Sequence, residues 1–297
     1  MKDRTRLFAV ADWLCILLML LPLAAAMALR AMFAPAAEGV VIGGAMVYLT
    51  IHMPVMDLPI SEAQVNSWMV MLSILGLCLY LTHGITARGG LKRQIAAEWI
   101  VEKCERLIHG NMGDYFLSFA PFVAAVLALS AFSSLISLLG LYAPTSDLNV
   151  VAGWSILVFF MITAAKMRCG PIVYLKSFGD PVPGIAPLNI ISEFATPVSM
   201  AFRHYGNIMG GSVISVLIGA ALGGLSRAVL GWLPGALGSF PLFRIGLPAI
   251  LSIYFDVFSG VLQAYIFAML TMLYVGGGYP LDELLRRRAK KALRTEM

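Results

Sequence analysis

Arg203 and Asn207 lie in PLNIISEFATPVSMAFRHYGNIMGG, residues 187–211, within an apolar run long enough to cross a bilayer. A charged side chain at the bilayer centre costs at least about 2.5–3.5 kcal/mol. An arginine there therefore marks an ion or substrate pathway by default. In a helix, Ser199, Arg203, Gly206, Asn207 and Gly210 follow at spacings of three and four and share one face. Small residues let a second helix backbone come close in a membrane. The face is thus suited to hold a fixed positive charge against a partner helix. A second polar set, Asp256, Gly260 and Gln263, shares a face by the same spacing. If the two segments form an antiparallel hairpin, one register sets Gln263 beside Arg203 and Asp256 beside Ser212. The polar groups then meet in layers, as buried polar groups require. Glu193, ten residues before Arg203 on the same helix, is not its neighbour.

The elements that must position these residues follow from composition. The chain has 297 residues, is 60% hydrophobic and 12% charged, and has a mean hydropathy of +0.85. A soluble protein averages about 25% charged residues. The pattern predicts an all-α polytopic membrane protein with about five or six membrane helices, the last two a long, strongly inclined hairpin. Residues 1–33 read as an N-terminal transmembrane helix or, alternatively, a signal peptide. Residues 34–67 contain no Lys or Arg and read as an external segment; residues 68–297 form the remaining membrane domain. Spans are expected over 68–87, 115–141 and 150–165, with an amphipathic interfacial helix over 91–111 and a polar loop over 169–186. The apolar run 187–224 is about 57 Å long as a helix, against a hydrocarbon core of about 30 Å. It must be broken, at Pro197 or Gly210–Gly211, or strongly inclined.

Basic residues cluster before Leu7, between Arg88 and Arg106, between Lys166 and Lys176, and in RRRAKKALR, residues 286–294. The positive-inside rule then makes both termini cytoplasmic. The four cysteines show no CxxC spacing, which argues against a metal or disulfide framework. No cofactor is expected, and neither a nucleotide nor a nucleic-acid fingerprint is present.

Three stretches carry a resemblance to subunit a of the F-type ATP synthase, over about residues 67–279. PTSDLNV (144–150) resembles the family's external-loop signature. The region 187–207, with Pro197 six residues before Arg203 and with Arg-x-x-Gly-Asn, resembles its signature helix. LQAYIFAMLTMLYV (262–275) resembles its final helix. The resemblance places the family's essential arginine on Arg203, its asparagine on Asn207 and its final-helix glutamine on Gln263. It implies a non-catalytic, ion-translocating subunit of a bacterial plasma-membrane complex, with protons the expected ion. Its partners would be the c-ring, the peripheral-stalk subunit b, the other ATP synthase subunits and the lipid bilayer.

Arg203 would favour the ionised form of each ring carboxylate and separate two aqueous half-channels. Asp256, Ser212, Gln263 and Asp147 would line the external one; Glu193, Ser192 and Asn189 the internal one. Asp147 equally suits a helix cap. The chain departs from the pattern where Ser212 replaces a frequent glutamate and Asp256 a histidine, so the carboxylate has crossed the hairpin. His204 replaces an apolar residue; it suits interhelical packing, with a titrating role as the alternative. The competing function, a secondary transporter with Arg203 binding an anionic substrate, would normally show inverted repeats, and none is found. No HExxH or GxSxG constellation supports a membrane enzyme.

Overall fold

A chain in hydrocarbon has no water to satisfy its peptide groups, so its apolar stretches become helices. The computed structural model describes residues 2–33, 43–54, 56–86, 92–179, 182–232, 241–244 and 246–279. Among these, six helices are long and apolar enough to cross a membrane. The basic tail 286–294 lies outside the described residues.

Helix α1 (Lys2–Phe33) runs antiparallel to α2 (Glu62–Thr82). Asp12 accepts from Arg93 Nη1 at 2.6 Å and lies 2.9 Å from His83 Nδ1. Towards the other end, Arg30 Nη1 donates to Glu62 Oε1 at 2.7 Å. Midway, a Cβ on Gly76 would come within 2.6 Å of the Met19 backbone nitrogen, so only glycine permits this approach. Helix α1 is thus built into the fold along its length. Between the two helices, β1 (Val47–Ile51) and β2 (Leu58–Ser61) pair antiparallel.

Helix α2 begins at Glu62 rather than residue 68, because Gln64 Oε1 accepts the Ser61 N–H at 3.4 Å, one arm of a capping box. Helix α3 (Lys92–Met112) matches the expected amphipathic helix, with Cys104 and Ile108 buried. Its Trp99 and Ile95 stay exposed, so only part of the apolar stripe packs inward. Helix α4 (Ala120–Leu135) has 3₁₀ turns at both ends, and Pro121 sits in its first turn, where a missing N–H costs nothing. Asp147 caps α5 (Leu148–Lys166), its Oδ1 accepting the Asn149 N–H at 2.9 Å. The stretch expected as a loop contains a short helix, α6 (Pro171–Ser177).

Helix α7 (Ala186–Leu230) is continuous over 45 residues, through Pro197 and Gly210–Gly211. At 1.5 Å per residue it is about 68 Å long. Such a helix crosses a core of about 30 Å on a strong incline or with its ends projecting. The last span comprises α8 (Leu247–Ser252), a π-helical stretch (Ile253–Ser259) and α9 (Gly260–Gly278). The core lies where α4, α5, α7 and α9 meet: Val158, Ile162, Met200 and Phe267 form one buried cluster. Ile108, Val123, Ala268 and Met272 form a second.

Candidate functional site

Helix α7 separates two chemistries on two faces. Met200, Ala201, His204, Ile208 and Gly211 are buried against the other helices. On the other side Ser199, Arg203, Gly206 and Asn207 are exposed. Arg203 makes no ion pair among the described residues. A Cβ built on Gly206 or Gly210 would meet nothing within 4 Å. The small-residue face carrying the guanidinium is therefore uncovered by the described residues.

His204 points the other way. It is 0% exposed, its Nε2 lies 3.3 Å from Ser130 Oγ, and the Trp154 and Phe267 rings meet it edge-on. It is an interhelical packing residue, with Nδ1 unpartnered among the described residues.

Across the hairpin, Asn207 Nδ2 donates to Gln263 Oε1 at 2.7 Å. Asn207, one turn beyond Arg203, thus makes the contact that the assumed register gave to Arg203. Gln263 is only 2% exposed, so this bond is the main polar tie between α7 and α9. One turn further on, the Phe255 ring fills the space a side chain on Gly211 would need, 2.8 Å from its Cβ position.

Beyond that lies a cavity of about 250 Å³ lined by Arg30, Ser137, Tyr142, Ser146, Ser212 and Asp256 among others. The layer expected for Ser212 and Asp256 is therefore present. Asp256 sits in the π-helical stretch, with the Ser137 and Ser252 hydroxyls beside its carboxylate. In a regular α-helix Asp256 would share the Gln263 face; the wider π turns rotate it away. Asp147 caps α5 one residue from the cavity-lining Ser146.

At the other end of α7, Glu193 Oε2 accepts from Lys166 Nζ at 2.5 Å. The Tyr174 hydroxyl donates to Glu193 Oε1 at 3.4 Å; burial, and then the Glu193 charge, push the Tyr174 hydroxyl pKa up. A second cavity, of about 210 Å³, is lined by Lys166, Glu193, Thr196 and Tyr274 among others. Asn189 Nδ2 donates to the Phe178 carbonyl at 2.8 Å and ties the start of α7 to the end of α6. Ser192 is exposed, and its carbonyl accepts the Thr196 hydroxyl at 3.0 Å. Along α7, Arg203 is about 15 Å from Glu193 and about 14 Å from Ser212, at 1.5 Å per residue.

Sequence reasoning missed Lys166, Tyr142 and the Arg30–Glu62 pair as parts of these regions. Lys166 read as a span end, and Glu62 as part of an external segment. The Ser61–Gln64 capping pattern was the available signal that Glu62 opens a helix.

A multi-pass helical protein whose longest helix bears, between two cavities, a cation that the described residues leave uncovered fits a membrane protein of ion transport. The family model described as ATP synthase A chain matches residues 64–276, and the chain belongs to that family. Curated relatives agree. ATP synthase subunit a of Legionella pneumophila (strain Paris) is 26% identical over 229 residues, covering 76% of this chain and 90% of that protein. ATP synthase subunit a 1 of Crocosphaera subtropica is 28% identical, covering 74% and 87%. The sodium-ion-specific subunit a of Propionigenium modestum is 26% identical, covering 74% of each. The chain is an ion-translocating subunit of the F-type ATP synthase membrane sector, and it works within a complex of other ATP synthase subunits.

Proposed function

We propose that this subunit conducts protons through two half-channels that meet a rotating ring of c subunits at Arg203, and that it has no catalytic role of its own. The cavity of Asp256 and Ser212, together with Gln263 and Asp147, serves as the external half-channel. Glu193, Ser192 and Asn189 serve the internal one. The observation that carries the reading is Arg203 itself: exposed, and among the described residues without an ion pair and on a face they leave open. A guanidinium at membrane depth needs a counter-charge, and a ring carboxylate arriving from outside the chain supplies one. Arg203 then favours the ionised carboxylate, which gives up its proton, while the fixed cation blocks direct leakage between the half-channels. One charge crossing 100 mV releases about 2.3 kcal/mol, so several steps accumulate for each ATP made elsewhere in the complex.

The ion is a proton in this reading. The Ser137 and Ser252 hydroxyls beside the Asp256 carboxylate can pass a proton to and from it, which supports that choice. In this reading both termini are cytoplasmic and the subunit sits in a bacterial plasma membrane, which the basic clusters support through the positive-inside rule. The peripheral-stalk subunit b joins the c-ring as a partner.

The test is ion-driven ATP synthesis by the whole complex in proteoliposomes carrying Arg203→Ala. The expected result is an assembled complex that synthesises no ATP and leaks protons passively. Normal coupled synthesis would overturn the proposal.

A further inference from the structure

Helix α1 precedes the family-matched residues 64–276, yet it reaches the cavity that holds Asp256. Arg30 lines that cavity together with Tyr142 and Ser212. Its partner Glu62 has a side chain only 2% exposed. The Glu62 oxygen that accepts from Arg30 also accepts the Tyr142 N–H at 3.3 Å. Asn66 Nδ2 donates to the Tyr142 carbonyl at 2.8 Å, and the Tyr142 hydroxyl donates to the Ser146 carbonyl at 3.0 Å. Every polar group of Tyr142 is therefore engaged. The cavity wall from Tyr142 to Ser146 hangs on a buried carboxylate whose one cation among the described residues is Arg30.

Removing one partner of a buried ion pair leaves an uncompensated charge and is strongly destabilising. Without Arg30, Glu62 has no partner cation among the described residues, so the carboxylate and the Tyr142 N–H it accepts rearrange, and the wall shifts with them. We infer that Arg30 of α1 is a positioning residue of the ion pathway: through Glu62 and Tyr142 it fixes the wall of the Asp256 cavity. The inference rests on reading that cavity as the external half-channel. It gives α1 a part in conduction as well as anchoring. The titratable groups around the network are Tyr48 of β1, Glu62 of α2, Tyr142, Asp147, Tyr205 of α7 and Asp256.

The experiment measures ATP synthesis by the whole complex in proteoliposomes against external pH, with internal pH and membrane potential held constant. For Arg30→Met we expect an assembled complex with a rate lower by up to about 100-fold, the scale of a misplaced reacting geometry. Its external-pH profile is displaced and its internal-pH profile unchanged. Arg30→Lys restores both rate and profile. An Arg30→Met complex with the wild-type external profile overturns the inference, because a merely structural role lowers only the amount of complex. If Arg30→Met does not assemble, Glu62→Gln decides: it keeps an oxygen for the Tyr142 N–H and removes the charge. A displaced external profile supports the inference, and a wild-type one overturns it. Asp256→Asn separates the two levels. If it leaves rate and external profile unchanged, the reading of the cavity fails; if it alters them and Arg30→Met does not, only the role of Arg30 fails.

Discussion

Glu193 and Asp256 are both carboxylates in membrane-crossing helices, each beside a cavity of comparable size, about 210 and 250 Å³. Their surroundings differ in kind. Glu193 is held by Lys166 at 2.5 Å, with a side chain 12% exposed. Asp256 has the hydroxyls of Ser137 and Ser252 beside it, and the cation of its cavity, Arg30, is engaged by Glu62. A cation partner favours one protonation state of a carboxylate, whereas hydroxyls donate or accept and serve both. Under the proposed function, the Asp256 region is then the one suited to pass protons, and the two ends of the proposed pathway differ in chemistry.

Breaking the contrast at its stronger side should give the largest effect. Asp256→Asn is expected to lower the rate of ATP synthesis by about 10³-fold, the range for loss of a proton-transferring group. Asp256→Glu should retain most of it. Equal rates for Asp256→Asn and wild type would remove the distinction. The other side is tested by Lys166→Met, which leaves Glu193 as a half-buried charge without its cation and should cost about 3 kcal/mol. A lower thermal midpoint of the purified complex reads this out, and the double variant Lys166→Met, Glu193→Gln should recover most of the loss. Between the two regions, Asn207→Ala removes the bond to Gln263 and should cost about 1.5 kcal/mol. Its thermal midpoint should fall less than that of Lys166→Met, and the external- and internal-pH profiles of synthesis should move together.

The membrane helices were legible because hydrocarbon demands long apolar runs, and little else in a sequence looks like residues 148–166. The continuity of α7 was left open: the length demanded either a break, at Pro197 or Gly210–Gly211, or a strong incline. The helix is continuous, because neighbouring helices can re-satisfy the backbone groups that a membrane proline frees. The shared cavity of Ser212 and Asp256 followed from the assumed antiparallel register. The pairing of Gln263 with Asn207 did not, because seven π-helical residues, Ile253–Ser259, change the phase that α-helical counting assumes. Glu62 and Asn66 looked external because they are polar; each is buried by a partner more than 30 residues away in sequence, Arg30 and Tyr142. Lys166 and Glu193 are 27 residues apart on different helices, and no local pattern marks such a pair.

Gly206 and Gly210 meet nothing among the described residues where a Cβ would stand. Each glycine inside a helix costs about 1 kcal/mol relative to alanine, and no packing among the described residues requires it. If, as proposed, a turning ring meets this surface, the two glycines have a mechanical meaning. A side chain at either position would be a ridge to climb at every step, a source of friction that wastes part of each ion's energy as heat. Glycine there would keep the bearing low beside Arg203 and Asn207.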